Sequence, residues 1–157
     1  KALAESKTLA NLVSLWVGDE LGDEGTKILV DSKYLTRLNL LTLYRNNIGD
    51  PGAVALAESK NLSKLTELNL NWNYIEQTGI EAIATSKTLT QLETLTLTYN
   101  AIGAEGARLI ANSENFKKAS DNGFFVCIEY SDPLFDLEET RLFFKDLGAE
   151  YIEDIPE

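Results

Sequence analysis

The segment LTELNLNWNYIEQTG, residues 65–79, decides the fold of this chain. Leu68 and Leu70 are spaced by two, as one face of a β-strand requires. Asn73 follows where the chain must turn out of the strand, and an Asn side chain can bond neighbouring backbone groups in such a turn. Residues 80–84 then carry apolar side chains at helical spacing. The segment therefore predicts a short strand, a turn and a helix.

The same unit recurs with a period of 27 residues. Two further copies are LNLLTLYRNNIGDPG from Leu38 and LETLTLTYNAIGAEG from Leu92. Such self-similarity is the signature of stacked repeats. Asn46, Asn73 and Asn100 are expected to form a ladder between successive turns. Glycine, serine and large apolar positions keep the same period, and these are Gly25, Gly52, Gly79 and Gly106; Ser32, Ser59, Ser86 and Ser113; and Leu35, Leu62, Leu89 and Phe116.

Two repeats depart from the regular pattern. The first is one residue short, because Leu12 and Leu38 are 26 residues apart, so the turn at residues 18–21 is expected to be irregular. The chain also begins within a repeat, so further repeats or a cap are expected before Lys1. In the third repeat, Glu76 makes a left-handed backbone less favourable than the glycine that stands there in the other repeats, at Gly22, Gly49 and Gly103.

The pattern LxxLxLxxNxIGxxG, followed by a helical LAxS segment, resembles the ribonuclease-inhibitor-like class of leucine-rich repeats over residues 1–118. This resemblance implies an α/β solenoid with a parallel sheet on the concave face and helices on the convex face. It says less about function, because function in such folds resides in exposed positions rather than in the repeat signature.

The last part of the chain differs in charge and pattern. Residues 1–118 hold 12 Lys and Arg against 14 Asp and Glu, a net of −2, whereas residues 119–157 hold 2 against 11, a net of −9. The repeat register is lost there. Residues 124–130 and 151–155 are predicted to be strands, and residues 136–147 a helix that a capping box opens. The sequence thus predicts a second unit, 119–157, which is acidic, small and βαβ-like.

This second unit has five phenylalanines and only about 38 residues, too few to be stable without covering another surface. We expect it to cap the last repeat or to dock on another subunit. Its segments GFFVCIEYSDP, residues 123–133, and FDLEETRLFFKDLGAEY, residues 135–151, resemble the end of a small soluble-domain subunit of a bacterial membrane quinol-oxidoreductase complex. The resemblance transfers no catalytic or cofactor residues.

The composition argues against catalysis and metal binding. The chain has no histidine, which removes the usual general base and the usual zinc ligand. Cys127 is the only cysteine, and its apolar neighbours indicate a buried small hydrophobe, with a reactive thiol as the alternative. No phosphate-binding glycine motif is present. We therefore predict a protein that is not an enzyme, with no catalytic, cofactor-binding or metal-ligating residues.

Charge and hydropathy also limit the partners. A net charge of −11 repels phosphate backbones, so nucleic acid is not expected to bind. No apolar run approaches the roughly 18 residues of a membrane span, so direct membrane insertion is not expected. A single cysteine is compatible with a reducing compartment, which favours the cytoplasm.

Aromatic residues at the strand ends give the sharpest functional signal. Large rings with polar handles are typical of binding hot spots. The alternative is that the rings pack on each other and cover the sheet without a ligand. The predicted protein-binding residues are Trp16, Tyr44, Arg45, Asn69, Asn71, Trp72, Thr98 and Tyr99.

Two classes of function remain open at this point. The first is a non-catalytic protein-interaction module that uses the concave face of the repeats. The second is a structural or accessory subunit of a larger, membrane-associated respiratory complex.

Overall fold

The computed structural model describes residues 2–18 and 20–117, together with residues 136, 138, 141, 142 and 145. The strands are β1 (Ser14–Trp16), β2 (Leu40–Thr42), β3 (Glu67–Asn69) and β4 (Thr94–Thr96). The α-helices are α1 (Gly22–Val30), α2 (Asp50–Glu58), α3 (Gln77–Ala84), α4 (Gly103–Asn112) and α5 (Glu114–Lys117). Short 3-10 turns span Lys7–Leu9 and Lys60–Leu62.

The four strands of the described residues form one parallel sheet in the order β1-β2-β3-β4. Each strand pairs in register with the equivalent residues of the next, so Leu15, Leu41, Leu68 and Leu95 are successive partners. Helices α1 to α4 pack against their sequence neighbours in the same order. The described part of the chain is therefore an α/β repeat fold in which every strand–helix unit contacts the next one.

The core follows the repeat pattern. In the third unit Leu65, Leu68 and Leu70 are buried on the strand side, and Ile75 and Ile80 are buried where the chain returns through the turn into α3. These are the positions that the hydrophobic spacing of the sequence predicts. The same positions of the other units join them in one continuous apolar cluster.

Two of the recurring glycines lie in close contact with the preceding unit. A Cβ atom on Gly79 would lie 2.6 Å from Oδ1 of Asp50 and 2.8 Å from Cγ2 of Ile75. A Cβ on Gly52 would lie 2.6 Å from Oδ1 of Asp23 in the same way. Only glycine lets α2 and α3 approach the preceding unit so closely, and this explains the residue at positions 52 and 79.

The asparagine ladder is confirmed. Oδ1 of Asn73 accepts hydrogen bonds from the backbone N–H groups of Asn46 and Ile48, both at 3.0 Å. Its Nδ2 donates to the carbonyls of Leu43 at 2.9 Å and Leu70 at 2.8 Å. Asn46 and Asn100 are buried in the equivalent places and bond the preceding unit as well.

A second polar ladder consists of the recurring serines. Ser59 Oγ donates to the carbonyl of Val30 at 2.7 Å, and Ser86 Oγ donates to that of Ala57 at 2.5 Å. Ser32 and Ser113 make the same bond to the unit before them. The serine period in the sequence is therefore a hydrogen-bonding requirement, because each hydroxyl is buried.

The two predicted irregularities lie at the starts of α1 and α3. Glu76 has φ −114°, an extended conformation, as expected for a position without glycine. Gly22 and Gly103 adopt positive φ values of 63° and 56°, whereas Gly49 is extended like Glu76. In the short first repeat, Glu20 has φ 60°, close to the 56° of Asn47, which lies 27 residues further on, so this angle does not distinguish the first turn from the second.

Most of the predicted second unit lies outside the described residues, as do its strands at 124–130 and 151–155 and Cys127. Within the predicted helix 136–147, the described residues 138, 141, 142 and 145 are helical. The boundary near residue 119 and the capping role of residues 119–157 stay predictions.

Candidate functional site

The candidate surface is the side of the sheet that faces away from the helices. Side chains alternate along each strand, so Leu41 and Leu68 point to the core while Thr42 and Asn69 point outward. Because the strands pair in register, equivalent residues of successive units form straight rows across this side. We refer to these rows as files.

The eight residues predicted from sequence fall into three files. Trp16 and Asn69 share the first file, at the last residue of β1 and β3. Hydrogen bonds from Arg45 N to Asn71 O at 3.0 Å and from Trp72 N to Thr98 O at 2.8 Å extend the strand register into the turns. The second file is Tyr44, Asn71 and Thr98, and the third is Arg45, Trp72 and Tyr99.

Trp72 and Tyr99 form an aromatic pair in the third file. Their ring centroids lie 3.9 Å apart with an angle of 31° between the ring planes. The two residues nevertheless remain 45% and 41% exposed. The rings thus pack on each other, as the alternative interpretation expects, and still present a large apolar surface to solvent.

The backbone of the third file is left-handed. Arg45, Trp72 and Tyr99 have φ values of 55°, 57° and 57°. For residues with a Cβ this conformation costs roughly 1–2 kcal/mol, and it is rare for bulky side chains. Asn47, at φ 56°, has the type of side chain that tolerates the region best. The fold would accept Gly or Asn in the third file at lower cost, yet the chain has one cation and two aromatic residues there.

Asn69 and Asn71 support the backbone of this surface. Asn69 Oδ1 accepts a hydrogen bond from Asn71 N at 3.0 Å, and Asn71 Oδ1 accepts one from Thr98 N at 2.8 Å. Both side chains are partly buried. Asn71 is therefore a framework residue of the turn and differs from the freely exposed contact that its position in the sequence suggests.

Two aromatic residues are the most exposed large hydrophobic residues in the described part of the chain. Trp16 is 75% exposed on β1, two strands away from Asn69 in its file. Tyr74 is 69% exposed and directly follows Asn73. Tyr74 is absent from the residues predicted by sequence, because it lies in the turn beyond the strand ends. Its place between the buried Asn73 and the buried Ile75 is the signal that marks it as outward-facing.

Charges on this side are unevenly placed. Arg45 stands where the strands end, whereas Glu67 begins β3 and Glu93 precedes β4 at the opposite end. Arg37, near that opposite end, donates to Oδ1 of Asn11 at 2.8 Å. Among the described residues Arg45 makes no ion pair and no cation–π contact.

The helical side has a different character. An open groove of about 610 Å³ lies between α1 and α2, and one of about 570 Å³ lies between α2 and α3. Charged side chains line both grooves: Glu58 and Lys60 border each of them, and Glu81 and Lys87 border the second. These exposed charges are typical of a solvated surface.

In residues 2–18, 20–117 and the five described positions after them, no group of three or more Cys, Asp or Glu is arranged to hold a metal ion. Within the same residues, no helix is both long enough and apolar enough to cross a membrane.

Comparison with protein families gives two matches. Residues 31–57 and 61–84 match the family model Leucine Rich repeat. Residues 80–154 match the model Alternative complex III, ActD subunit. The chain is thus similar both to leucine-rich repeats and to a subunit of that complex, which confirms the two resemblances. The second match begins in α3 and crosses residue 118. A search of curated proteins found no match.

Proposed function

We propose that this chain is a leucine-rich-repeat solenoid that acts as a non-catalytic protein-interaction module, with the outward side of its sheet as the concave binding surface. The similarity to leucine-rich repeats over residues 31–84 supports this proposal, since such repeats present extended surfaces to partners. Parallel strands about 4.8 Å apart bring residues from successive repeats close together although they are far apart in sequence.

The left-handed third file is the observation that carries the proposal. Arg45, Trp72 and Tyr99 occupy a backbone conformation that disfavours large side chains, and they remain exposed. Strained residues that the surrounding structure holds in place are frequent at ligand-binding positions. Aromatic and arginine side chains are also the types that dominate binding energy at protein interfaces.

A quantitative pull-down tests the proposal. Once a partner is captured on the immobilised chain, Trp72→Ala and Tyr99→Ala should each weaken its binding at least tenfold, about 1.4 kcal/mol. Lys60→Ala and Lys87→Ala on the helical side serve as controls and should bind normally. Urea midpoints of all four variants verify that they fold. If the lysine variants alone lose the partner, the interaction surface lies on the helices.

A second candidate function is that of an accessory subunit in a larger assembly. The match of residues 80–154 to the ActD subunit of alternative complex III favours this accessory role. That match includes part of the repeat region as well as the acidic end of the chain. Native gel electrophoresis of detergent-solubilised membranes from the source organism separates the two candidates. A permanent subunit migrates with the complex at a fixed stoichiometry, even in high salt. An interaction module is present at less than one copy per partner and dissociates from it reversibly.

A further inference from the structure

The third file places a cation beside an aromatic pair. Arg45, Trp72 and Tyr99 hold equivalent positions in three successive repeats, and all three are exposed. No ion pair occupies the Arg45 guanidinium within the part of the chain that the structure describes. A guanidinium offers several N–H donors in a planar arrangement that suits a carboxylate. The neighbouring rings suit an apolar side chain.

The spacing of the file limits what can bind to both parts at once. Neighbouring parallel strands lie about 4.8 Å apart, so Arg45 is about 7 Å from the midpoint between Trp72 and Tyr99. An extended peptide advances about 3.3 Å per residue, and its residues i and i+2 point to the same side. Two residues of extended peptide therefore span the distance from the cation to the aromatic pair.

We infer that the third file binds an extended acidic peptide segment in which a carboxylate side chain and an apolar side chain are two residues apart. The carboxylate pairs with Arg45, and the apolar side chain covers Trp72 and Tyr99. This inference rests on the proposed function and adds the chemical class of the partner. The net negative charge of the whole chain does not oppose it, because salt at 0.15 M screens exposed charges beyond about 8 Å.

Short synthetic peptides test the inference. The probes are acetylated and amidated octapeptides of Gly and Ser that carry one Phe and one Asp, two residues apart in either order. Matched controls replace the Asp by Asn or by Lys, or place the Asp directly beside the Phe. The full chain is labelled with ¹⁵N-tryptophan, and the indole N–H signal of Trp72, assigned with Trp72→Phe, is followed during titration.

We expect the Asp peptide with two-residue spacing to shift the Trp72 signal with a Kd at least fivefold below those of the Lys and adjacent-Asp peptides. Arg45→Gln should remove this advantage and leave the Kd of the Asn peptide unchanged. Raising the salt concentration should weaken only the Asp peptide. The last two responses distinguish a carboxylate–guanidinium contact from nonspecific apolar binding to the aromatic rings.

Three results overturn the inference while leaving the proposed function intact, because peptides still bind beside Trp72. These are equal Kd values for the Asp, Asn and Lys peptides, equal binding of the adjacent-Asp peptide, and an unchanged Asp preference in Arg45→Gln. A titration in which no peptide shifts Trp72 also overturns the inference. The proposed function is then decided separately by the pull-down with Trp72→Ala.

Discussion

The side-chain amide of Asn73 serves two repeats at once. It bonds two backbone N–H groups and one carbonyl of the preceding repeat, and two carbonyls of its own. All of these groups lie in turns that leave the sheet, where no strand partner can replace the bond. The energetic role of the residue therefore exceeds that of an ordinary turn asparagine.

Asn73→Ala should lower the free energy of unfolding by roughly 1–3 kcal/mol, since buried backbone groups lose their partners. Asn112→Ala is the matched control, because Asn112 is exposed in the last turn of α4. We expect that control to change stability by no more than about 0.5 kcal/mol. Urea unfolding followed by tryptophan fluorescence measures both. Equal midpoints would contradict the ladder.

The left-handed residues allow a prediction with the opposite sign. Arg45→Gly should raise the free energy of unfolding by about 0.5–1 kcal/mol, because glycine relieves the φ strain by more than it increases the entropy of the unfolded chain. Glu76→Gly, at an extended position, should lower it by about 0.4–1 kcal/mol. Urea midpoints compare the two. A loss of stability in both variants would mean that the left-handed backbone at Arg45 carries no strain.

Among the helices, capping comes from the neighbouring repeat. Asp23, in the first turn of α1, accepts hydrogen bonds from Gly49 N at 2.8 Å and Gly52 N at 2.9 Å. Asp50 does the same for Glu76 N at 2.8 Å. The equivalent residue of α3 is Gln77, which has no carboxylate. The carboxylates thus stabilise the starts of α2 and α3, where N–H groups lack partners within their own helix.

Asp23→Ala should cost about 1–2 kcal/mol through the loss of this cap on α2. Asp31→Ala, at the opposite end of α1, should leave stability unchanged or raise it slightly, since an acid is unfavourable at a helix C-terminus. Thermal unfolding of the two variants against the parent chain checks the contrast. A larger loss for Asp31→Ala would show that the carboxylate of Asp23 does not act as the cap.

The sequence predicts features that recur in every repeat better than contacts that occur in only some of them. Buried leucines, the asparagine ladder and the helix after Gly79 follow from periodicity, because each position has the same neighbours in every copy. The Asp23 bond to Gly49 spans 26 residues and occurs in only some repeats, so a period-based search does not detect it. The left-handed φ values of Trp72 and Tyr99 also leave no trace in residue type.

For the whole molecule, β4 and α4 form the last complete repeat that the structure describes. Leu95 in β4 and Leu97 just after it are buried members of the core. We predict that residues 119–157 shield this end. A chain truncated after Lys118 should associate or aggregate, because it exposes the apolar edge.

Sedimentation velocity of the truncated and full-length chains measures this outcome. The control is a chain shortened only at its last three residues, 155–157, which should sediment like the parent. A truncated chain that stays monomeric with an unchanged urea midpoint would indicate that residues 119–157 dock elsewhere instead.

The direction of the asparagine and serine hydrogen bonds predicts which end of the stacked repeats opens first. In both ladders the side chain belongs to the later repeat and the backbone group to the earlier one, as in Asn100 with Ile75 and Ser86 with Ala57. Opening the last repeat therefore leaves backbone N–H and carbonyl groups of the repeat before it without partners, whereas opening the first repeat releases mostly side chains that water can solvate. Amide hydrogen exchange in the turns should accordingly begin in the C-terminal repeat and proceed repeat by repeat toward the N-terminal one.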